Sequence, residues 1–149
     1  MPSVNSPAPS QPIQDRWGNA LNAGFMVIPV LLLRHQKALG LDDGAMVALL
    51  NILASWWYEG ALPFPAPHTI AERMGVSART VQRHLVKLEA AGLLRRVPGV
   101  EFDEESRTPT RYDPAGLVAK MKQLGLAYRP RAGSPEASTP SPTREAQPA

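Results

Sequence analysis

The sequence predicts a mainly α-helical fold with a small β-hairpin wing, and three features carry that prediction. Residues 69–96 hold two short amphipathic helical patterns joined by Gly75-Val76-Ser77. A strongly apolar helical segment precedes them, and two short strand patterns separated by a loop follow them. Helix, three-residue turn, helix and hairpin, in this order, make up a winged helix-turn-helix.

Length and composition limit the chain to one modest folded unit. Its 149 residues are 44% hydrophobic, which is enough for a single core. Proline and small polar residues dominate both ends. We therefore expect disordered tails at residues 1–14 and 129–149, around a folded domain at residues 15–128 that carries flanking N- and C-terminal helices.

Composition also disfavours several classes of function. Cysteine is absent, which removes disulfides, thiolate metal sites and cysteine nucleophiles. His35 and His68 have no partner at metal-ligand spacing, and the sequence has neither nucleophile–base pairs nor phosphate-binding glycine loops. We expect no metal, no cofactor and no enzymatic activity. Without a membrane-spanning run or a signal peptide, we also expect a cytoplasmic protein with no membrane partner.

Upstream of the motif, strand-like and helical patterns alternate. Residues 24–29, GFMVIP, are a short branched and aromatic run that could be a strand. Helical spacing follows, and Gly40 is expected to close that helix. Asp42 or Asp43 then caps the most apolar segment, which is predicted to be a buried central helix running through Trp57.

The two helices of the motif carry start and stop signals. A proline-rich connection leads into them and could include a short edge strand. A capping box of Thr69 and Glu72 is expected to start the first helix. Gly75 is expected to take the left-handed conformation of a tight turn, and Ser77 to cap a second helix over residues 78–91. That helix has a predicted buried side, Val81, Leu85 and Leu88, and a predicted free side, Arg79, Gln82, Arg83 and Lys87.

The wing and a last helix complete the predicted domain. After Gly92, LLRRV suits a strand and RYD a returning strand, so residues 93–113 are predicted to form a hairpin. Pro114 is expected to open a terminal helix, which either covers the core or contacts a second copy of the chain. The apolar side of that helix would carry Leu117, Val118, Met121 and Leu124.

The free side of the second helix has the chemistry that reads double-stranded DNA. Arginine can donate two hydrogen bonds to guanine O6 and N7, glutamine can pair with adenine N6 and N7, and a helix N-terminus attracts phosphate. Positions 68–97 hold six basic residues against two acidic ones. The net charge of the whole chain is only +3, so the basicity is concentrated at the motif. This pattern predicts a helix that enters the major groove.

The stretch TIAERMGVSARTVQRHLVKLEAAGLLRR resembles the winged helix-turn-helix of GntR-type and MarR-type bacterial regulators. The upstream GFMVIPVLLL and the apolar helix are also similar to N-terminal winged-helix domains of plasmid and phage replication proteins. The first resemblance implies DNA contacts from five positions of the turn and second helix. With the neighbouring polar and basic residues, the predicted DNA-binding set is Thr69, Ser77, Arg79, Thr80, Gln82, Arg83, Lys87, Arg95 and Arg96.

The predicted wing departs from that family pattern. Its loop carries four acidic residues against one arginine, where a wing that grips phosphate would be basic. These residues are Glu101, Asp103, Glu104, Glu105 and Arg107. A loop of this charge is expected to point away from the duplex or to limit non-specific affinity.

Three functions fit the sequence. The leading one is a transcriptional regulator that occupies an operator. The first alternative is a replication-initiation or partition-associated protein of a plasmid, phage or integrated element, and the second is a winged-helix protein-interaction module. A homodimer and contacts with replication or transcription proteins stay open. So does stacking on single-stranded nucleic acid by Trp56, Trp57, Tyr58 and Phe64, although such aromatics are more often core.

Overall fold

The computed structural model describes residues 10–56, 60–99 and 109–130. Within these ranges the chain is mainly helical with one antiparallel two-stranded hairpin, which confirms the predicted fold class. The predicted tail segments 1–9 and 131–149, and the acidic loop residues, lie outside the described ranges. The elements are α1 (Gln11–Trp17), a 3-10 turn (Gly18–Ala23), α2 (Val30–Arg34), α3 (Asp43–Leu53), α4 (Pro67–Met74), α5 (Ala78–Ala90), β1 (Arg95–Val97), β2 (Arg111–Asp113) and α6 (Ala115–Ala127).

The core forms where α3, α4 and α5 meet. Leu49 and Ile52 of α3, Ile70 of α4 and Leu85 and Leu88 of α5 are all essentially inaccessible to solvent. Burial of this many branched side chains in one cluster is the dominant stabilising contribution to such a fold. The central helix α3 is therefore buried as the sequence predicted.

The central helix is shorter than predicted. Asp42 caps its N-terminus, and its carboxylate accepts a hydrogen bond from the Ala45 N–H at 2.8 Å. The helix ends at Leu53, and the bonds from Ser55 N–H to the Ile52 carbonyl and from Trp56 N–H to the Leu53 carbonyl tighten its last turn. Trp56 lies beyond the helix and is 40% exposed, so the prediction of a helix through Trp57 was wrong at its C-terminal end.

The turn between α4 and α5 matches its prediction in detail. Gly75 is left-handed, with φ 69° and ψ 33°. The Val76 N–H reaches the Ala71 carbonyl and the Gly75 N–H reaches the Glu72 carbonyl, which is the bond pair of a Schellman motif. Ser77 then caps α5 by accepting a hydrogen bond from the Thr80 N–H at 3.2 Å.

The predicted start of α4 was wrong. The capping position is three residues earlier, at Ala66, which provides no side-chain cap, and the helix begins at Pro67. Proline suits the first position of a helix because its fixed φ is already helical and its missing N–H would have had no intrahelical partner. Thr69 therefore lies inside the first turn, and its N–H bonds to the Ala66 carbonyl.

The strand predicted at residues 24–29 does not form within the described chain. The segment has no regular secondary structure, and the only strand ladder described is that of β1 with β2, with Arg96 opposite Tyr112. The proline-rich connection comes closer to the hairpin, because the Pro63 carbonyl accepts a hydrogen bond from the Tyr112 N–H at 2.9 Å. That single bond is not a strand. The helix predicted after residue 29 ends at Arg34, and a turn leads to the left-handed Gly40.

The last helix docks on the turn that follows α5. Pro114 stands at its cap position, and the Asp113 carboxylate accepts a hydrogen bond from the Ala115 N–H at 2.9 Å. Leu117 and Met121 face the core, and the Leu117 N–H donates to the Leu93 carbonyl at 3.1 Å. At the other end of the chain, α1 starts at Gln11, inside the stretch predicted as a tail. In the part of the chain that the structure describes, no helix could span a bilayer.

Candidate nucleic-acid interface

The helix α5 separates an apolar side from a polar side along its whole length. Val81, Leu85 and Leu88 are buried at 0%, 1% and 0% exposure, as their spacing predicted. The opposite side faces solvent with Arg79, Gln82, Arg83 and Lys87, together with Val86. Because α4 and α3 both pack against the apolar side, the polar side is held in one orientation.

The N-terminal turn of α5 carries a connected set of polar groups. Ser77 Oγ lies 3.0 Å from Thr80 Oγ1, and Thr80 Oγ1 accepts a hydrogen bond from the Arg83 guanidinium at 3.3 Å. Ser77 and Thr80 are therefore occupied in capping the helix and in orienting Arg83. Arg79 makes no hydrogen bond or ion pair with the described residues, so its guanidinium is available to a ligand.

Lys87 is not free, although it lies on the exposed side. Its Nζ is 2.5 Å from Asp42 Oδ2, in an exposed ion pair between α5 and the cap of α3. The hydrogen bond from Lys87, together with the bond from the Ala45 N–H, lowers the pKa of Asp42. Exposed ion pairs contribute little stability, and salt screens them. A phosphate could compete with Asp42 for this lysine.

His84 fills the gap between the same two helices. Its ring stands over Gly44 so closely that a Cβ at that position would overlap it. The Nδ1 atom is buried without a hydrogen-bond partner and lies 3.9 Å from Asp42 Oδ1. The structure thus uses this histidine for packing.

The two arginines of the wing strand are also paired. Arg95 donates to Asp113 Oδ2 at 3.0 Å across the hairpin, where the two residues are register partners. The pKa of Asp113 is lowered, first by the Ala115 N–H and then by Arg95. Arg96 points the other way, toward α5, where it forms an ion pair with Glu89 and donates to Gln82 Oε1 at 3.0 Å.

The nine predicted site residues therefore fall into four groups. Ser77 and Thr80, at the cap of α5, are the first. Arg79, Gln82 and Arg83 share one exposed surface on α5, which we call the α5 face. Lys87, Arg95 and Arg96 lie near it but are held by carboxylates that sequence reasoning missed. Thr69 is a half-buried residue of the first turn of α4. Hairpin register could have revealed the partner of Arg95, whereas no local signal joins Asp42 to Lys87, which are 45 positions apart.

Sequence reasoning also missed two exposed arginines. Arg73 lies in the last turn of α4 and Arg111 begins β2, and neither has a partner among the described residues. Both are exposed and flank the α5 face in chain order. Both could have been identified from the sequence by their positions. Arg73 lies in the last turn of the first motif helix, and Arg111 lies where the chain returns into the hairpin.

Two pockets are formed by these elements and the segments around them. A pocket of about 280 Å³ lies beside the α5 face and is lined by Phe64, Gln82, Arg96 and Tyr112 among others. Phe64 is 59% exposed there, so it is not a core residue. A larger apolar groove of about 430 Å³, lined by the segment before α2, by the end of α3 with Trp56, and by α6, lies elsewhere. No group of three or more potential metal ligands occurs among the residues described.

Comparison with known proteins supports the winged-helix assignment. A structure of the N-terminal domain of the DnaD protein from Geobacillus kaustophilus is 32% identical, has a TM-score of 0.52, and aligns with 76% of this chain and 90% of that one. A structure of MarR is 23% identical with a TM-score of 0.40, over 66% of this chain and 65% of that one, and is thus a more distant match. No curated protein matches significantly.

A protein-family model also matches most of the folded chain. The model of the DnaD N-terminal domain matches residues 28–124, which run from the segment before α2 into the last helix. That range includes the motif, the hairpin and the α5 face. The chain belongs to the DnaD N-terminal domain family.

Proposed function

We propose that this winged-helix protein binds double-stranded DNA sequence-specifically and places α5 in the major groove. The observation that carries the proposal is the α5 face. Arg79, Gln82 and Arg83 share an exposed surface while the other side of the helix is locked into the core. A helix of this kind fits the major groove, and arginine and glutamine are the side chains that most often read purine edges there.

The surrounding charges suit a supporting role in this function. Arg73 and Arg111 are exposed and unpaired within the described chain, and they could contact phosphates on either side of α5. Lys87, Arg95 and Arg96 would have to exchange a carboxylate for a phosphate before contributing. Such an exchange releases fewer counterions in total than the binding of an unpaired cation to phosphate does. The salt dependence of binding should therefore reflect mainly the unpaired arginines.

A role in replication is the better of the two DNA-binding roles. The chain belongs to a family of DnaD-type replication proteins, and the likeness to MarR is too weak to argue for a regulator. A replication protein is expected to bind repeated sites at an origin, whereas a regulator is expected to bind an inverted repeat near a promoter. We therefore propose the replication role ahead of the regulator, which the sequence alone had favoured.

The experiment that tests DNA binding is selection from a random duplex pool, followed by titration of the selected site. Arg79→Ala and Arg83→Ala should each weaken specific binding by roughly 1–3 kcal/mol and leave the thermal midpoint unchanged. Lys122→Ala is the matched control, because Lys122 is an exposed cation that lines the apolar groove instead. Unchanged affinity in both arginine variants would refute the placement of α5.

The apolar groove favours self-association as a second property. Val27, which lines the groove, is 81% exposed, and two apolar residues of the following helix α2, Val30 and Leu33, are 62% and 46% exposed. Exposed apolar side chains this close together in the chain are typical of an interaction surface. The backbone of residues 25–28 belongs to no helix or strand and makes no hydrogen bond with the described part of the chain, so a second copy could pair with it. Val27→Glu should shift the protein toward the monomer in analytical ultracentrifugation, whereas an equal charge at Val86 on α5, Val86→Glu, should not.

A further inference from the structure

One side chain of the wing reaches across two turns of α5. Arg96 leaves β1 and contacts both Glu89 and Gln82, which lie two turns apart on the same side of the helix. The Arg96 side chain is 32% exposed and the Glu89 side chain 34% exposed, so this ion pair is better shielded than that of Lys87. The register partner of Arg96 on β2 is Tyr112, which is 1% exposed.

This contact decides which way the carboxamide of Gln82 faces. A guanidinium carries only donors, so the atom of Gln82 that meets Arg96 must be the acceptor Oε1. The bond is 3.0 Å long and is charge-assisted, which makes it stronger than a bond between neutral groups. Nε2 is then turned away from β1, and it has no partner among the described residues. The free part of Gln82 is a donor.

We propose that Arg96 is a positioning residue that sets the base preference of Gln82 to guanine over adenine. The inference rests on the proposed function, because it concerns a base that α5 would meet in the major groove. Glutamine reads adenine by accepting from N6 while donating to N7. Here Arg96 occupies one of the two lone pairs of Oε1 and holds that atom toward β1, which disfavours the pairing with adenine. Guanine offers only acceptors, O6 and N7, to the free Nε2.

Glu89 completes the arrangement by holding Arg96 in place. Without the carboxylate, the guanidinium would be free to turn toward a phosphate and release Gln82. The pocket lined by Gln82 and Arg96 shows that the two side chains meet at an accessible surface and not inside the core. Base preference at one position is therefore linked to a strand residue that need not touch the base.

The test uses the full chain and the duplex site selected from the random pool. Gln82→Ala first identifies the base pair that Gln82 contacts, as the one position where the preference disappears. The four bases at that position are then compared by competition titration for wild type, Arg96→Met and Arg96→Lys. Arg95→Met is the matched control, since it removes the same charge from the same strand without touching α5. Thermal midpoints check that each variant is folded.

We expect wild type to prefer guanine over adenine by about fivefold, the value of one net hydrogen bond. Arg96→Met should reduce the preference to within about twofold or reverse it toward adenine, and Arg96→Lys should restore it because lysine still donates to Oε1. Arg95→Met should keep the preference. Selection of adenine by wild type, or an unchanged preference in Arg96→Met, would overturn the inference alone. A pool that yields no site would overturn the proposed function as well.

Discussion

A methyl group added at Gly116 would run into the backbone of the turn that follows α5. An ideal Cβ at this position overlaps the carbonyl oxygen of Gly92, which is a backbone atom and cannot swing aside. The second helix position of α6 can therefore approach the turn only as glycine. Two bonds hold the helix there, from the Leu117 N–H to the Leu93 carbonyl and from Lys120 Nζ to the Ala91 carbonyl at 2.5 Å.

The free-energy change of Gly116→Ala combines three contributions. Alanine is favoured over glycine in a helix by up to about 1 kcal/mol. Overpacking against a fixed backbone costs about 1–3 kcal/mol. Displacement of α6 by the clash would lengthen the Leu117 bond and cost about 1 kcal/mol more. We therefore expect a net loss of about 1–3 kcal/mol in the free energy of unfolding.

The same helix supplies the control. A Cβ at Gly125 would lie 3.9 Å from Leu31 Cδ1, an ordinary contact, so Gly125→Ala should be neutral or gain up to about 1 kcal/mol from helix propensity alone. Urea unfolding followed by circular dichroism measures both variants, and equal slopes would license the comparison of midpoints. If Gly116→Ala proved as stable as Gly125→Ala, the docking of α6 on this turn would be refuted.

Four further variants test the contacts that hold α5. Leu88→Ala should cost about 2–5 kcal/mol by leaving a cavity at the centre of the core, and a loss below about half a kcal/mol in urea unfolding would mean that α5 faces the other way. Ser77→Ala should cost about 0.5–2 kcal/mol by removing the cap, whereas Ser77→Asp should not. The lowered pKa values of Asp42 and Asp113 predict stability that is present above about pH 4 and is lost as pH falls through the folded-state values. Asp42→Asn should weaken that acid dependence, and an unchanged acid profile would argue against the pair with Lys87.

Local signals in the sequence predicted the parts of the fold that local chemistry determines. Gly75 and Ser77 were identified correctly because a left-handed turn and a cap involve only neighbouring residues. The buried stripe of α5 and the hairpin followed from periodicity. The prediction of a capping box at Thr69 was wrong because the helix starts earlier, at Pro67, where no side chain caps it.

Contacts between distant residues account for most of what the sequence could not predict. Residues 24–29 have the composition of a strand, but composition cannot say whether a partner strand is near. The charge of the α5 face was overestimated for the same reason. Of the six basic residues at positions 68–97, three are paired with Asp42, Asp113 and Glu89, and only the folded chain brings the first of these carboxylates to α5.

Each of the three residues in the turn between α4 and α5 has its own structural role, and this limits where the chain can gain or lose residues. Gly75 supplies the left-handed conformation, the Val76 N–H satisfies the Ala71 carbonyl, and Ser77 caps the next helix. These three roles require consecutive residues, so a residue inserted here would disrupt at least one of them. We therefore expect insertions and deletions among relatives to avoid this turn and to gather at residues 98–110, where the hairpin strands themselves are only three residues long.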